Sequence, residues 1–459
     1  MGQLAVQQLL LSSGWAKDKL IQWDDTGIIT SIGLIPEGYT GEKAHTIVAG
    51  MPNIHSHAFQ RLCAGLTEYR STEQDSFWSW RKLMYALADK ITPEQLEAIA
   101  THLYSEMLAA GYTSVCEFNY LHNDVNGQPY KNSNAFFDSL INAANKSGIG
   151  LTLLPVYYNR AGFDKADCEK SQQRFALSLD AYLKRWNKLF QQSQRAGFAL
   201  GIAPHSLRAV SGADLKTLVE RIKHLSPEAP VHIHISEQIK EVEDCLAFTG
   251  KRPFNFLQSI CDVDDKWCLV HGTHFDKEEL KAIAQCEATV ALCPITEANL
   301  GDGIFDYVTY GQHIGTWGIG SDSNILIDAR EELMLLEYGQ RLLHRQRNIA
   351  SSPNEPHVAT NLYQQALVGG EKASGLKVGK IEVGYRADFI ELANQQFTHA
   401  NKSGDFILSQ YIFADSHKDS IRRVWSAGKL LIDTTSQPRY PLPEALCALR
   451  NKYLEYEND

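Results

Sequence analysis

The chain has 459 residues, of which 44% are hydrophobic and 21% charged, a composition typical of a globular protein with one large or several smaller domains. Its formal net charge of −10 is mild for this length and argues against a general nucleic-acid-binding protein, which would carry a basic surface. No apolar run has the length of a membrane span, and the first residues lack the basic start and cleavage site of a signal peptide. Nine cysteines without a C-x-x-C pair are typical of reduced thiols, so we expect a soluble, cytoplasmic protein.

The alternation of apolar runs and helical patterns indicates the fold class. Residues 1–48 form short β-rich runs, and DDTG at Asp24–Gly27 predicts a hairpin turn between two of them. From about residue 50, eight apolar runs are each followed by a helical pattern, which predicts an α/β protein with a closed (β/α)8 barrel of the TIM type. The runs lie near 50–57, 113–118, 150–158, 199–206, 230–237, 267–274, 288–294 and 316–323.

The clearest helix signal lies at 92–111, between the first two runs. Apolar residues recur there at spacings of three or four, which predicts one buried helix face. Thr92 and Gln95 have the spacing of a capping box, with Pro93 at the first helical position, and Gly111 closes the helix.

After about residue 370 the sequence again favours strands. The stretches GLKVGKIEVGYRADFIEL (375–392) and IRRVWSAGKLLID (421–433) alternate in polarity and contain glycine turns. We expect this part to pair with the beginning of the chain in a small β-sandwich domain. The predicted organisation is therefore a β domain from 1–48 plus 370–435, a barrel domain over 49–369, and a C-terminal helix over 436–459.

The first apolar run ends in His55 and His57. Because alternate residues of a strand point to the same face, the two imidazoles would project side by side, a geometry that suits one metal ion. A lone histidine at a strand end is more often structural, but the strands of a barrel end on one face, where such residues converge. Other runs also end in functional residue types: Glu117 (followed by Asn119 and Tyr120), His205 (followed by Arg208), His234 and Glu237, His271 and His274, and Asp322.

These strand ends predict a metal centre. Three neutral imidazoles and one carboxylate suit Zn²⁺ or Fe²⁺, which lower the pKa of a bound water toward ~7. We assign the ligands to His55, His57, His234 and Asp322, with His232 as an alternative to His234. Asp322 is placed to accept a proton from the water, and Glu237 to act as a proton shuttle over the open position.

At these residues the chain resembles the amidohydrolase superfamily, which has His-x-His on strand one, histidines on strands five and six, and an aspartate on strand eight. The resemblance covers nearly the whole chain, including G-x-R-A-D at Gly384–Asp388. Dinuclear members carry a lysine or glutamate at the end of strand four, where this chain has APHSL. The resemblance therefore implies the mononuclear branch, which mostly deaminates, with one divalent metal, Zn²⁺ or else Fe²⁺.

Within this branch the resemblance is to enzymes that act on a linear amidine. It implies hydrolysis of N-formimino-L-glutamate to N-formyl-L-glutamate and ammonia, a step of histidine degradation, by a cytoplasmic homodimer. Asn119 and Asn123 depart from the pattern, since histidine is expected there. The stretches that carry the resemblance are MPNIHSHAFQR, DSFWSWRKLMY, EFNYLH, APHSLRAV and HIHISEQ.

The implied substrate has two carboxylates, which call for arginine or equivalent donors. Arg208 follows strand four, and Arg81 lies in an aromatic-rich segment that we expect to fold over the mouth of the barrel. The resemblance adds Gln60, Tyr120 and His205 as substrate-binding residues. It also implies catalytic roles for Glu237, His271 and Asp322, in which His271 stabilises the tetrahedral intermediate.

Two other functions were weighed against this one. A deaminase of a purine or pterin-like ring would carry aromatic stacking residues in place of the two arginines. A non-catalytic barrel that serves as a scaffold would be expected to lose a metal ligand, and every expected ligand is present in this sequence.

Overall fold

The computed structural model describes residues 1–68, 77–393, 404–414 and 420–434. Two short 3-10 helices lie at Ala58–Cys63 and Lys170–Gln172. The strands of the described residues are β1 (Gly2–Leu11), β2 (Gly14–Trp23), β3 (Ile29–Leu34), β4 (Lys43–Ala49), β5 (Met51–Ser56), β6 (Tyr112–Asn119), β7 (Gly150–Tyr157), β8 (Ala199–Leu200), β9 (Ala203–Pro204), β10 (Val231–Ile235), β11 (Trp267–His271), β12 (Thr289–Leu292), β13 (Thr316–Ile319), β14 (Phe389–Leu392), β15 (Ile421–Ser426) and β16 (Lys429–Asp433).

The helices of the same residues lie mainly between the strands β5 to β13, as the alternating pattern predicts. Among them, none has the length and apolar composition that a membrane crossing requires. They are α1 (Phe77–Ala88), α2 (Pro93–Ala109), α3 (Ala135–Ser147), α4 (Leu179–Ala196), α5 (Gly212–Leu225), α6 (Ile239–Thr249), α7 (Pro253–Gln258), α8 (Lys277–Gln285), α9 (Pro294–Leu300), α10 (Tyr307–Gln312), α11 (Ala329–His344), α12 (Val358–Ser374) and α13 (Gly404–Phe413).

Each of the eight apolar runs contains a strand, and the fourth run is split into β8 and β9. These strands form two parallel sheets, one of β5 to β9 and one ordered β10-β11-β12-β13. Single parallel bridges join the sheets at both edges: Ser56 pairs with Asp322, while Ile202 pairs with Val231 and Ser206 with His234. The expectation of an α/β fold with parallel sheets is confirmed.

Burial explains why these strands are continuous apolar runs. Every residue of β6, β7, β10 and β11 is buried, as expected for parallel strands that are covered on both faces. The polar side chains at their ends are therefore held in a rigid and largely dry environment.

The helix predicted at 92–111 is confirmed as α2. The Thr92 hydroxyl accepts the Gln95 N–H, and the Gln95 side-chain oxygen accepts the Thr92 N–H at 3.0 Å, which is the predicted capping box. Eight of its residues, including Leu96, Leu103 and Met107, are buried.

The two ends of the chain form one seven-stranded sheet, ordered β16-β15-β14-β4-β1-β2-β3. Its centre is the antiparallel pairing of β4 with β14, in which Ala49 lies opposite Phe389. The predicted β-sandwich is not confirmed, because the described strands of both ends belong to this single sheet. The hairpins expected around Asp24–Gly27 and within 421–433 are present.

Other expectations for the last part of the chain differ from the structure. Only the final four residues of 375–392 form a strand, because Gly379 and Gly384, with φ of +74° and +88°, turn the chain away from extended geometry. Helix α13 lies within the predicted small β domain, between the two stretches predicted as strands, and α12 crosses the predicted boundary between residues 369 and 370. The predicted C-terminal helix over 436–459 lies outside the described residues, and the domain boundaries stay predictions.

Candidate active site

The carboxyl ends of β5, β10, β11 and β13 bring polar side chains together in one buried group. His55, His234, His271 and Asp322 each offer a nitrogen or oxygen atom, and these four atoms lie within 4.8 Å of one another. His57 joins them, since its Nε2 lies 3.2 Å from Asp322 Oδ1. We call these five residues the histidine cluster.

The ring nitrogens of the cluster face a common point. His55 Nε2 lies 3.0 Å from His234 Nε2 and 3.3 Å from Asp322 Oδ1. His57 Nδ1 is 2.7 Å from the carbonyl oxygen of Phe118, which can only accept, so this nitrogen carries a proton. His234 Nδ1 likewise donates to the His205 carbonyl at 3.0 Å.

These tautomers leave lone pairs on Nε2 of His57 and His234. The lone pairs face a carboxylate oxygen or another imidazole at 3.0–3.2 Å, and such close acceptors repel unless a proton or a cation lies between them. A histidine that donates Nδ1–H to a carbonyl and aims Nε2 at a shared point has the orientation of a metal ligand. The cluster therefore fits a divalent metal.

The electrostatics of the cluster agree with this. Burial and the neighbouring imidazoles lower the pKa of His55 to about 3 and hold the pKa of His234 well below its ordinary value, so both rings are neutral at pH 7. Burial alone would raise the pKa of Asp322, but the adjacent His55 and His57 rings and the positive charge of His271 outweigh it and hold that pKa well below its ordinary range. Neutral imidazoles and an ionised carboxylate are the forms that bind a metal.

His271 faces carboxylates on both edges of its ring. Its Nε2 lies 3.8 Å from both Glu237 Oε1 and Asp322 Oδ2, and its Nδ1 lies 3.3 Å from Glu297 Oε1. Burial opposes protonation of His271, but Glu237, Glu297 and Asp322 outweigh it and raise the pKa to about 10. The pKa of Glu237 is itself raised, first by burial and also by the charge of Asp322.

The backbone is strained at the ends of three strands of the cluster. Ser236, His271 and Asp322 have φ of +52°, +71° and +43°, in the left-handed region that residues with a side chain rarely adopt. Such strain persists only where the surrounding structure holds it, and it occurs preferentially at functional sites.

A cleft opens next to the histidine cluster. Its empty space, with the open solvent at its mouth included, is about 500 Å³. His55 is fully buried beside it, within contact of Asp322. The residues that line the cleft are His57, Gln60, Trp80, Arg81, Met84, Tyr85, Tyr120, Tyr158, Phe175, His205, Arg208, His234, Glu237, His271, Leu300 and Asp322.

The lining thus brings together all the sequence-predicted site residues apart from His55. Arg81, on α1, donates from Nε to the Tyr85 hydroxyl at 2.7 Å and from a terminal nitrogen to the Tyr158 hydroxyl at 3.4 Å. Gln60 donates to the Tyr120 hydroxyl at 2.9 Å. We call Gln60, Arg81, Tyr85, Tyr120, Tyr158, His205 and Arg208 the arginine side of the cleft.

Two of these residues lie just beyond β9. The positive charges of Arg208 and Arg81 add to burial and lower the pKa of His205 well below its ordinary value, so that His205 is neutral. Arg208 is only 8% exposed although it carries a permanent charge. A buried guanidinium that lines a cleft is suited to bind an anionic group.

Several other residues discussed for the site lie elsewhere. His232 Nε2 donates to the Ala373 carbonyl at 2.8 Å, and His274 does not line the cleft. Asn119 donates to the Leu121 carbonyl, while Asn123 donates to the carbonyls of Gln173 and Ala176, so both hold loop backbone and neither lines the cleft.

Three residues of the site were not predicted from the sequence: Tyr85, Tyr158 and Glu297. Tyr158 had a usable signal, because it ends the third apolar run and so lies at the same face as the other strand ends. Tyr85 and Glu297 lie on helices α1 and α9, where no strand-end pattern points to them.

Comparison with known proteins identifies the family. Residues 46–431 match the amidohydrolase family, and the chain belongs to this family, as its sequence motifs predict. The chain is 41% identical to the formimidoylglutamate deiminase of Pseudomonas aeruginosa over 433 residues, which cover 94% of this chain and 95% of that protein.

Solved structures agree with this assignment. An amidohydrolase from Brucella melitensis superposes with a TM-score of 0.90 at 41% identity, and the match covers 99% of both chains. An adenosine deaminase from Xanthomonas campestris with bound zinc superposes with a TM-score of 0.78 at 22% identity, covering 99% of this chain and 98% of that one, and shares the fold.

Proposed function

We propose that this chain is a metal-dependent deiminase that hydrolyses N-formimino-L-glutamate to N-formyl-L-glutamate and ammonia. Water adds its oxygen to the formimino carbon, and the bond from that carbon to the terminal nitrogen breaks. The observation that carries the proposal is one cleft in which the histidine cluster lies beside two guanidinium groups. The 41% identical relative from Pseudomonas aeruginosa, named formimidoylglutamate deiminase, supports the choice of substrate.

One divalent metal would be held by His55, His57, His234 and Asp322. Three imidazoles and a carboxylate suit Zn²⁺ best and also accept Fe²⁺. When bound, such a metal supplies a water that is activated at neutral pH. Support comes from the neutral rings of His55 and His234 and from the 3.0 Å distance between their Nε2 atoms.

Three side chains would move or hold protons. Asp322 accepts a proton from the attacking water at a carboxylate oxygen, because its low pKa keeps it ionised. Glu237, whose pKa is raised by burial, donates a proton to the departing nitrogen. His271 donates from Nε2 to the oxygen that develops negative charge at the formimino carbon, a position supported by its 3.8 Å distances to Glu237 and Asp322.

The arginine side would bind the two carboxylates of the substrate. Arg208 and Arg81 offer charge-assisted hydrogen bonds in a partly buried environment, where such bonds distinguish strongly between substrates with and without a carboxylate. Gln60, Tyr120 and His205 also line the cleft and would orient the linear chain of the substrate.

A ring deaminase remains the second candidate, because aromatic residues also line the cleft, among them Tyr120, Tyr158 and Phe175. A flat heterocycle, however, carries no carboxylate to accept the charge-assisted hydrogen bonds that the two guanidinium groups of the lining can donate. A scaffold without activity would not need strained strand ends around converging imidazoles.

We also infer that the two parallel sheets close into one eight-stranded barrel, with the small β domain built from both ends of the chain. The parallel bridges at both sheet edges support closure. A homodimer, a cytoplasmic location and a place in histidine degradation complete the proposal.

The test is ammonia release by the purified, Zn²⁺-loaded protein from N-formimino-L-glutamate, with guanine and N-formimino-glycine as comparison substrates. Release from the glutamate compound and little from the other two is the expected result. Release from guanine alone would support the proposed metal centre and contradict the proposed substrate. No release from any of the three, with metal bound, would reject the proposed function.

A further inference from the structure

The carboxylate of Glu297 lies behind His271, on the side of the ring that faces away from the cleft. Its Oε1 is 3.3 Å from His271 Nδ1, and both side chains are buried, with exposures of 5% and 1%. Glu297 does not line the cleft, so it has no contact with a small molecule bound there.

We propose that Glu297 is a positioning residue that fixes the ring orientation of His271. This proposal rests on the proposed function, in which His271 donates a hydrogen bond from Nε2 to the oxygen at the formimino carbon. Nδ1–H donates to Glu297 Oε1, which directs Nε2 toward the space between Glu237 and Asp322. A rotated ring would turn Nε2 away from the reacting carbon.

Glu297 can hold His271 because its own position is fixed. The same Oε1 accepts the backbone N–H of Cys293 at 2.9 Å, at the start of α9, and the Glu297 carbonyl accepts the Asp302 N–H at 2.9 Å. The first turn of a helix favours a negative charge, so the carboxylate is stable where it lies. His271 is also held by its strained backbone, with φ of +71°.

A different role for the same group is a second metal site. His271, Cys293 and Glu297 each offer a ligand atom within 4.8 Å of the others. We favour the positioning role, because Glu297 Oε1 already accepts two N–H groups and because burial raises the pKa of the Cys293 thiol well above its ordinary value, which opposes the thiolate that a metal requires. The two roles differ in the amount of metal that the protein holds.

The test compares Glu297→Gln with Glu332→Gln. Both carboxyl groups are buried and both accept a backbone N–H at the start of α9, Glu297 from Cys293 and Glu332 from Ile295. Burial raises the pKa of Glu332 well above its ordinary value, which favours the neutral form that glutamine resembles. Loss of packing or of a helix-capping hydrogen bond would affect both variants. Loss of the carboxylate that accepts from His271 would affect only Glu297→Gln.

We expect Glu297→Gln to lower kcat on N-formimino-L-glutamate about 10- to 100-fold, with KM near that of the wild type. The metal-to-protein ratio should stay unchanged, and Glu332→Gln should keep the wild-type kcat. In a His271→Asn background, Glu297→Gln should have no further effect on kcat. A full additional loss in that background, or a metal-to-protein ratio that falls with Glu297→Gln, would overturn the proposal.

A proton NMR measurement tests the contact without using activity. The Nδ1–H proton of an imidazole bonded to a buried carboxylate resonates far downfield of the amide protons. This resonance should be present in the wild type and in Glu332→Gln, and absent from Glu297→Gln and His271→Asn. Its persistence in Glu297→Gln would reject the positioning role, whereas a wild type that shows the resonance but releases no ammonia would reject only the proposed function.

Discussion

The histidine cluster and the arginine side occupy the same cleft but are built differently. Members of the cluster lie at or just beyond strand ends that pair with one another, as Ser56 does with Asp322 and Ser206 with His234. The arginine side comes from the 3-10 helix Ala58–Cys63, from α1 and from the residues after β6, β7 and β9, and its contacts include hydrogen bonds between side chains. The difference teaches that the strand ladder fixes the reacting groups, while connecting segments determine what is bound. Damage to the cluster should therefore reduce kcat, and damage to the arginine side should raise KM.

Metal removal is expected to have the largest effect. Dialysis against a strong chelator should abolish ammonia release, because His55, His57, His234 and Asp322 would lose the cation that they are proposed to hold, and Zn²⁺ should restore it. Arg208→Ala should bind the same amount of metal as the wild type, which separates the two sides of the cleft. Activity that survives when no metal is detectable would contradict the role of the cluster.

The Glu237→Gln variant tests proton transfer. Its kcat should fall by about 10²- to 10⁴-fold, because glutamine cannot donate a proton to the departing nitrogen, and metal content should be unchanged. The same substitution at the exposed Glu243, on α6, serves as the control. A Glu237→Gln variant with a near wild-type kcat would remove Glu237 from the mechanism.

The Arg208→Ala variant tests the other side of the cleft. Its KM should rise about 10- to 100-fold, the loss expected for hydrogen bonds to a charged group, with a smaller change in kcat. Steady-state kinetics of Arg208→Ala and Arg81→Ala on N-formimino-glycine, which has only one of the two carboxylates, show which arginine binds which carboxylate. Only the substitution of the arginine that binds the carboxylate common to both compounds should raise KM for N-formimino-glycine. An unchanged KM for Arg208→Ala would mean that the substrate is oriented differently.

The smallest effect is expected for Tyr158→Phe. The Tyr158 hydroxyl accepts from Gln172 at 2.8 Å and from Arg81 at 3.4 Å, so its loss should loosen Arg81 and raise KM about 3- to 10-fold. Tyr182→Phe is a matched control, because that hydroxyl donates to the Pro155 carbonyl and does not line the cleft. Equal KM values for both variants would show that Tyr158 does not position Arg81.

The sequence predicts the cluster better than the arginine side, for a physical reason. Strand periodicity places alternate residues on one face, and parallel strands end at one edge, so His55, His57 and Asp322 could be grouped without coordinates. Arg81 and Arg208 were found through the two charges of the implied substrate. Tyr85 contacts Arg81 within α1, and Glu297 contacts His271 from α9, and no strand-end pattern points to a residue on a helix. The roles assigned to all these residues stay predictions.

The failures in the small β domain have a similar origin. Alternation in 375–392 suggested strands, but glycines with positive φ turn most of that stretch into loops, and tertiary contacts decide which four residues pair with β4. The parallel strands were easier to find because their burial on both faces produces long apolar runs.

The pairing of β4 with β14 has a consequence for synthesis of the protein. The His45 N–H donates to the Glu391 carboxylate at 2.9 Å, and the two residues are 346 positions apart. At roughly 5–20 residues per second, the ribosome needs about 17 to 70 seconds to deliver the second strand after the first. Throughout that time one edge of β4 has no partner strand and is open to pairing with other nascent chains. Expression at low temperature or with a chaperone that shields strand edges should therefore increase the yield of folded protein.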